Sequence, residues 1–263
     1  LSLYYHKLLK QAKIAALCPS HQQHNHDRNY ILNELHSEAR VNTVSAKTSD
    51  LTPEEIRIPL MRTMLAHVPF DGWSTTALNN AAQEMGITAE FAELAFPSGA
   101  IEALSLHLEI TDQEMTIALE VLDLPSLKIR DRITLAIRTR LEQSHGQREA
   151  VRRGLIVLAL PQNMVLASKA LWRTADAMWR AAGDISTDHN WYTKRATLSA
   201  VYSAVLLFWL NDDSENQTET WEFLDRRIED VMKIETAKYK FRQSSANFPS
   251  LARFLGRLRY PGT

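Results

Sequence analysis

The sequence predicts an all-α protein, and three observations carry that expectation. Its 263 residues include only 8 Gly and 9 Pro, where average usage gives roughly 18 and 13, so tight turns are few. From Thr52 onward, capping residues and helix stops follow one another at helical intervals. Nowhere does a sustained alternation of apolar and polar residues run between hairpin turns. Hydrophobic residues make up 45% of the chain and charged residues 23%, which excludes wholesale disorder. The formal net charge of −1 leaves no whole-chain field to hold nucleic acid.

Residues 1–52 read as a poorly ordered extension. The first 26 contain no acid and carry Lys7, Lys10 and Lys13, a faint resemblance to an organelle presequence that lacks its arginines. His21, His24 and His26 cluster there without a carboxylate or thiol pattern to complete a metal site. Cys18 is the single cysteine, so neither an internal disulfide nor a cysteine-based zinc site is available within this sequence.

Thr52 then caps a helix with Pro53 at its first position and Glu54 and Glu55 in its first turn, expected to end before Pro69. Asp71-Gly72 turns the chain, Ser74 caps the next helix and Gly86 stops it. Thr88 caps a short third helix closed by Phe96-Pro97. Longer helices are expected over 100–119, 126–143, 147–160, 162–182, 191–210 and 218–242. The most apolar run, Ala196 to Leu210, has fifteen residues, short of the ~20 that a membrane span needs. It reads as a core helix.

Short helix, glycine turn and short helix over 74–96, followed by long helices, resembles the TetR class of ligand-sensing repressors. The charges argue against DNA. Between Arg62 and Lys128 there is no Lys or Arg, while ten acids occur, and the would-be recognition helix carries Glu90 and Glu93. DNA affinity comes largely from cations on phosphates, so this stretch repels a duplex. Enzyme signatures are missing as well: the glycines form neither a P-loop nor a dinucleotide fingerprint, and no G-x-S-x-G occurs. A di-iron bundle needs two Glu-x-x-His pairs. Glu142 with His145 is the single one and reads as a solvated helix end. His67 and His107 read as packing residues.

The stretch from Trp172 to Trp209 is the most informative. Gly183 ends one helix, Asp188 or Asn190 caps the next, and Trp191 and Tyr192 stand in its first turn. Trp191, Arg195, Leu198, Tyr202, Leu206 and Trp209 share one face, and Ala196, Ser199 and Ser203 form a second face of small residues. Two adjacent aromatics at a helix start cannot both point inward, so one is expected at the surface, where a partner could use it.

The run Gly183-Asp184-x-Ser186-Thr187-Asp188-x-Asn190-Trp191-Tyr192-Thr193-Lys194-Arg195-Ala196 closely resembles the ubiquinone-biosynthesis accessory proteins, the ninth member of the COQ series. Leu158-x-Leu160-Pro161-x-Asn163 before it and Thr220-Trp221-x-Phe223-Leu224-x-x-Arg227-Ile228 after it agree, as do Val68-Pro69-x-x-Gly72-Trp73 and Met85-Gly86. The resemblance implies a TetR-like fold that has lost DNA binding, no catalysis and no cofactor, a pocket for isoprenoid or phospholipid, and delivery of the quinone precursor to the di-iron demethoxyubiquinone hydroxylase. It places hydroxylase docking on Asp176, Met178, Trp191 and Tyr192, and lipid binding on Arg195, with Leu198 and Tyr202 along the same helix face. A second acid next to Asp176 in animal members is Ala177 here. A homodimer is expected of this fold class. The wording of 68–73 and 249–259 resembles the α-proteobacterial branch, which points to a bacterial cytoplasm and the inner-membrane surface, with the mitochondrial matrix as the alternative. A ligand-sensing regulator is the second reading, and an enzyme a distant third.

From Thr236 to the end there is no acid, while Lys238, Lys240, Arg242, Arg253, Arg257 and Arg259 give +6. Leu251, Phe254, Leu255 and Leu258 share a stripe opposite Arg253 and Arg257, the pattern of a membrane-surface helix. The expected organisation is therefore an extension over 1–52, helix-turn-helix-like helices over 53–97, a lipid-binding helical domain over 98–243 and an amphipathic helix over 244–263.

Overall fold

The structure, a computed structural model, describes residues 51–186 and 189–246, the latter with backbone alone at 189 and from 235 onward. All its regular elements are helical: α1 Pro53–Asp71, α2 Thr75–Glu84, α3 Ala89–Ala95, α4 Ala100–Glu120, α5 Ile129–Gln143, α6 Arg148–Leu158, α7 Met164–Ala181, α8 His189–Trp209 and α9 Thr218–Ala246. No strand occurs among the described residues. The extension up to residue 50 and the stripe Leu251, Phe254, Leu255 and Leu258 with Arg253 and Arg257 lie outside the described residues. So does Asp188.

Local chemistry starts the first three helices. Thr52 accepts from the Glu55 N–H at 3.3 Å while the Glu55 carboxylate accepts from the Thr52 N–H at 2.9 Å, a reciprocal capping box. Ser74 and Thr88 cap α2 and α3 without the reciprocal bond, their hydroxyls accepting from the N–H groups of Ala77 and Phe91. Contrary to expectation, α1 does not end before Pro69 but runs through it to Asp71. Proline's fixed φ suits a helix, and what it forfeits is one hydrogen bond from its own nitrogen. The turn closes instead through the Gly72 N–H on the Val68 carbonyl at 2.9 Å.

The first core joins these helices to α4 and α6. Ile56, Leu60, Met61, Met64 and Val68 line the inner face of α1, against small residues of α2 and α3 (Ala77, Ala81, Ala82, Ala92 and Ala95) and against Leu104 of α4. Trp73 donates its ring N–H to the Ala150 carbonyl at 2.9 Å, which ties the turn after α1 to α6. Gly154 lets α6 approach closely: a Cβ there would stand 3.1 Å from Leu104 and 3.3 Å from Trp73.

Elsewhere the ends shift for visible reasons. α5 starts at Ile129 rather than at Ser126, because Leu124–Ser126 forms a 3-10 turn and Arg132 donates to the Leu127 and Pro125 carbonyls. α6 and α7 are separated by the 3-10 turn Pro161–Asn163 and bend by 97°. No single helix among the described residues is long and apolar enough to cross a membrane. The chain divides into one compact unit up to Asn211 and a second from Asp212. In the second, the Asp212 carboxylate accepts from the N–H groups of Ser214 and Thr220, each at 2.8 Å, which fixes the entry to α9.

Candidate functional site

The conspicuous surface of the first unit is where α7 passes into α8. Trp172 and Asp176 are one turn apart on α7 and share a face. Gly183 follows the helix at φ +87, the left-handed conformation that glycine permits. Arg132 holds this turn by donating to the Ala182 carbonyl at 2.9 Å. Asp184 then accepts from Lys194 and from the Ser186 hydroxyl, both at 2.7 Å, and from Arg195 at 3.0 Å. Burial raises the Asp184 pKa, but the hydrogen bonds from Lys194, Ser186 and Arg195 outweigh it and hold the carboxyl well below the usual carboxylate range.

Arg195 is the hub. Its side chain is 2% exposed and its Nε donates to Asp176 at 2.6 Å, while Arg180 reaches the other Asp176 oxygen at 2.7 Å. The guanidinium also lies 4.2 Å from the centre of the Trp191 ring. Trp191 packs edge-on against Tyr192 at 4.7 Å, and Trp172 meets both, at 5.6 and 6.3 Å. Buried ion pairs thus hold up a raft of three rings. Tyr192 is 61% exposed and Trp191 is half-buried, so at least one of the pair faces outward as its position in the sequence requires.

The residues expected to act are brought together unequally. Asp176, Trp191 and Tyr192 meet at the raft. Met178 is fully buried and supports α7 from within instead of presenting a surface. Arg195, Leu198 and Tyr202 are buried as well, and Arg195 is already saturated by carboxylates rather than open to a headgroup. On the small-residue face Ser199 is buried but Ala196 is exposed, so that face is only partly used for packing. Trp209 is a core residue.

A groove of ≈ 440 Å³ lies instead between α4 and α7, lined by Glu109, Asp112, Ile117, Arg173 and Ala177 among others. Arg195, Leu198 and Tyr202 do not line it. Asp112 forms its buried floor, accepting from Arg140 at 3.0 Å, Arg173 at 3.2 Å and the Thr174 hydroxyl at 2.9 Å. One nitrogen of Arg173, Nη2, is buried there without a partner.

Three roles escaped the sequence reading. Trp172 is the base of the raft, signalled only by its one-turn spacing from Asp176. Asp184 and Lys194 lock the turn, and Asp112 anchors the groove. Of the two histidines read as packing residues, His107 is one: it is buried beside Trp73 at 5.5 Å, and burial first, then Arg140 and Arg62, push its pKa down to about 3. His67 pairs with Glu84 at 2.9 Å. Glu142 pairs with Arg138 at 2.7 Å, and no cluster of three or more metal-ligating side chains occurs among the described residues.

Comparison with known proteins meets this geometry at the raft. The family model described as COQ9 matches residues 164–235, which include α7 and α8. The ubiquinone biosynthesis protein COQ9, mitochondrial, of Rattus norvegicus is 32% identical over 195 residues, covering 70% of this chain and 62% of that protein. The Homo sapiens protein of the same name is 31% identical over 192 residues, covering 70% and 60%, and the probable counterpart of Dictyostelium discoideum is 29% identical, covering 71% and 62%. The chain therefore spans less than two thirds of these relatives' length. Their names carry the mitochondrial compartment, the alternative reading of location, rather than a bacterial cytoplasm. A TetR transcriptional regulator from Nitrosomonas europaea superposes with a TM-score of 0.55 at 22% identity, over 66% of this chain and 95% of that one, so the fold is all-α and TetR-like. Residues 164–235 match the COQ9 family model, and over 70% of its length the chain is similar to the COQ9 proteins.

Proposed function

We propose that this protein is a non-enzymatic accessory factor of ubiquinone biosynthesis, which binds polyprenyl quinone intermediates or phospholipid and presents them to the di-iron demethoxyubiquinone hydroxylase. The observation that carries the reading is the raft of Trp172, Trp191 and Tyr192, standing half in water on a buried ion-pair scaffold. Large rings at a surface, held rigid, are what protein interfaces use as anchors, because little conformational entropy is lost on binding. Tyr192 and Trp191 touch the hydroxylase, while Asp176 and Met178 position them. Arg195 reaches a lipid headgroup only when Asp176 and Asp184 release it. The raft sits inside the matched domain, and the relatives' names supply the pathway.

Mass spectrometry of organic extracts from the purified protein tests the lipid half of the proposal. Prenylated quinone intermediates or phospholipid at near-stoichiometric amounts are expected. Extracts with neither class would overturn it.

The TetR-like fold keeps a regulator in view, but α2 and α3 carry Glu84, Glu90 and Glu93, all exposed, and no cation. A fluorescence titration with duplex DNA at low salt, where phosphate contacts are strongest, is expected to give no binding. Salt-sensitive micromolar affinity would restore the regulator reading.

A further inference from the structure

The corner between α6 and α7 is built with care and then left uncovered. Asn163 donates its side-chain N–H to the Val157 carbonyl at 2.8 Å, and the Leu160 and Asn163 N–H groups close successive tight turns. Val157, Leu158, Leu166 and Ala167 turn inward to the first core. Ile156, Leu160, Met164 and Val165 turn outward, exposed by 64, 42, 61 and 67%. Four large apolar side chains on one rigid corner exceed the scattered exposure that a soluble surface tolerates.

Charge selects what covers them. The fifteen residues 154–168 carry no charge, and no acid occurs between Glu149 and Asp176. At one end Arg153 reaches Glu149 at 3.2 Å, while Arg152 is committed to Glu149 at 3.3 Å, to the Leu210 carbonyl and to the Asn211 side chain. Lys169 is exposed at the other end. An apolar tip bracketed by cations matches a bilayer with anionic headgroups: the tip enters the acyl boundary, and the long basic side chains reach back to the phosphates.

We infer that the α6–α7 corner is a membrane contact, made by Ile156, Leu160, Met164 and Val165 and oriented by Lys169 and Arg153. It shares no residue with the aromatic raft. The inference adds to the lipid-carrier reading a place where the protein meets the bilayer. It has its own readout, since vesicle binding is measured whether or not the purified chain carries a prenyl lipid.

The test is flotation of the full chain with vesicles of phosphatidylcholine alone and of phosphatidylcholine with phosphatidylglycerol. Wild type should float with the anionic vesicles. The double variant Met164→Asp/Val165→Asp should partition at least about tenfold less, since it removes two apolar side chains from the contact. Aspartate is favourable in a helix's first turn, so its melting temperature and its size on gel filtration should not move. Lys169→Gln should weaken binding roughly fivefold on anionic vesicles, and not on neutral ones. Should the aspartates lower the melting temperature, the glutamine pair at 164 and 165 replaces them. A double variant that floats like wild type overturns the inference. So does one that changes the oligomeric state without changing flotation, which would make the corner a contact between copies of this chain.

Discussion

The helix-turn-helix region and the α7–α8 region treat charge in opposite ways. In the first, Ala77, Ala81, Ala82, Ala92 and Ala95 are buried against α1, while Glu84, Glu90 and Glu93 stand in water. In the second, Arg195 and Asp184 are buried, while Tyr192 stands in water beside the half-buried Trp191. The difference teaches where each region's work is done. An apolar interior rich in alanine, with acids only on the outside, packs the three helices closely and buries no charge. A region that buries ion pairs bears a desolvation cost, and what it holds in place is a set of rings at the surface.

Breaking a buried pair should be the most damaging change. Asp112→Ala leaves Arg140, 5% exposed, without its carboxylate and with only the Ser144 hydroxyl to accept from it. A loss of about 3–5 kcal/mol in chemical denaturation is expected. Replacing Asp112 and Arg140 together by Leu and Met should recover much of it, because no charge is then left unpaired.

Acid should expose the same inversion. His107 is held neutral, with its pKa lowered from 6.5 to about 3, so the unfolded chain binds the proton more readily than the folded one. Stability is therefore full above pH 6.5 and declines as pH falls from there toward 3, by an amount on the order of a few kcal/mol. Asp184, whose pKa is lowered from 3.8, contributes stability that is complete above that value and is lost as pH falls further. His107→Gln should flatten the loss between pH 6.5 and 4 and keep the drop below it. An unchanged profile in thermal melts would remove His107 from the account.

The smallest effect belongs to the helix-turn-helix surface. Glu93→Lys, at an exposed position of α3, should leave the melting temperature almost unchanged. A larger change would mean that this acid is structural.

What the sequence made legible follows the range of the interaction. Thr52, Ser74 and Thr88 could be read as caps because each bonds three residues ahead. One of Trp191 and Tyr192 could be placed at the surface because helix geometry forbids two neighbouring rings the same direction, but not which one. Asp112 could not be read, since its partners Arg140 and Thr174 lie 28 and 62 residues away, and in the sequence it is one more acid. Arg195 was legible as important through its motif. Its saturation by Asp176 and Asp184 was not, because nothing local says which carboxylates will share one guanidinium. Pro69 misled because a proline signals a break that the last turn of α1 did not need.

The most direct test of the central claim is the affinity of the hydroxylase for wild type and for Tyr192→Ala, measured beside their melting temperatures. Tyr192 is exposed and bears little of the core, so the melting temperature should hold while binding weakens by about 2 kcal/mol or more, some thirtyfold. Equal affinity for both proteins, or a melting temperature that falls in step with binding, would contradict the claim that the raft is a docking surface.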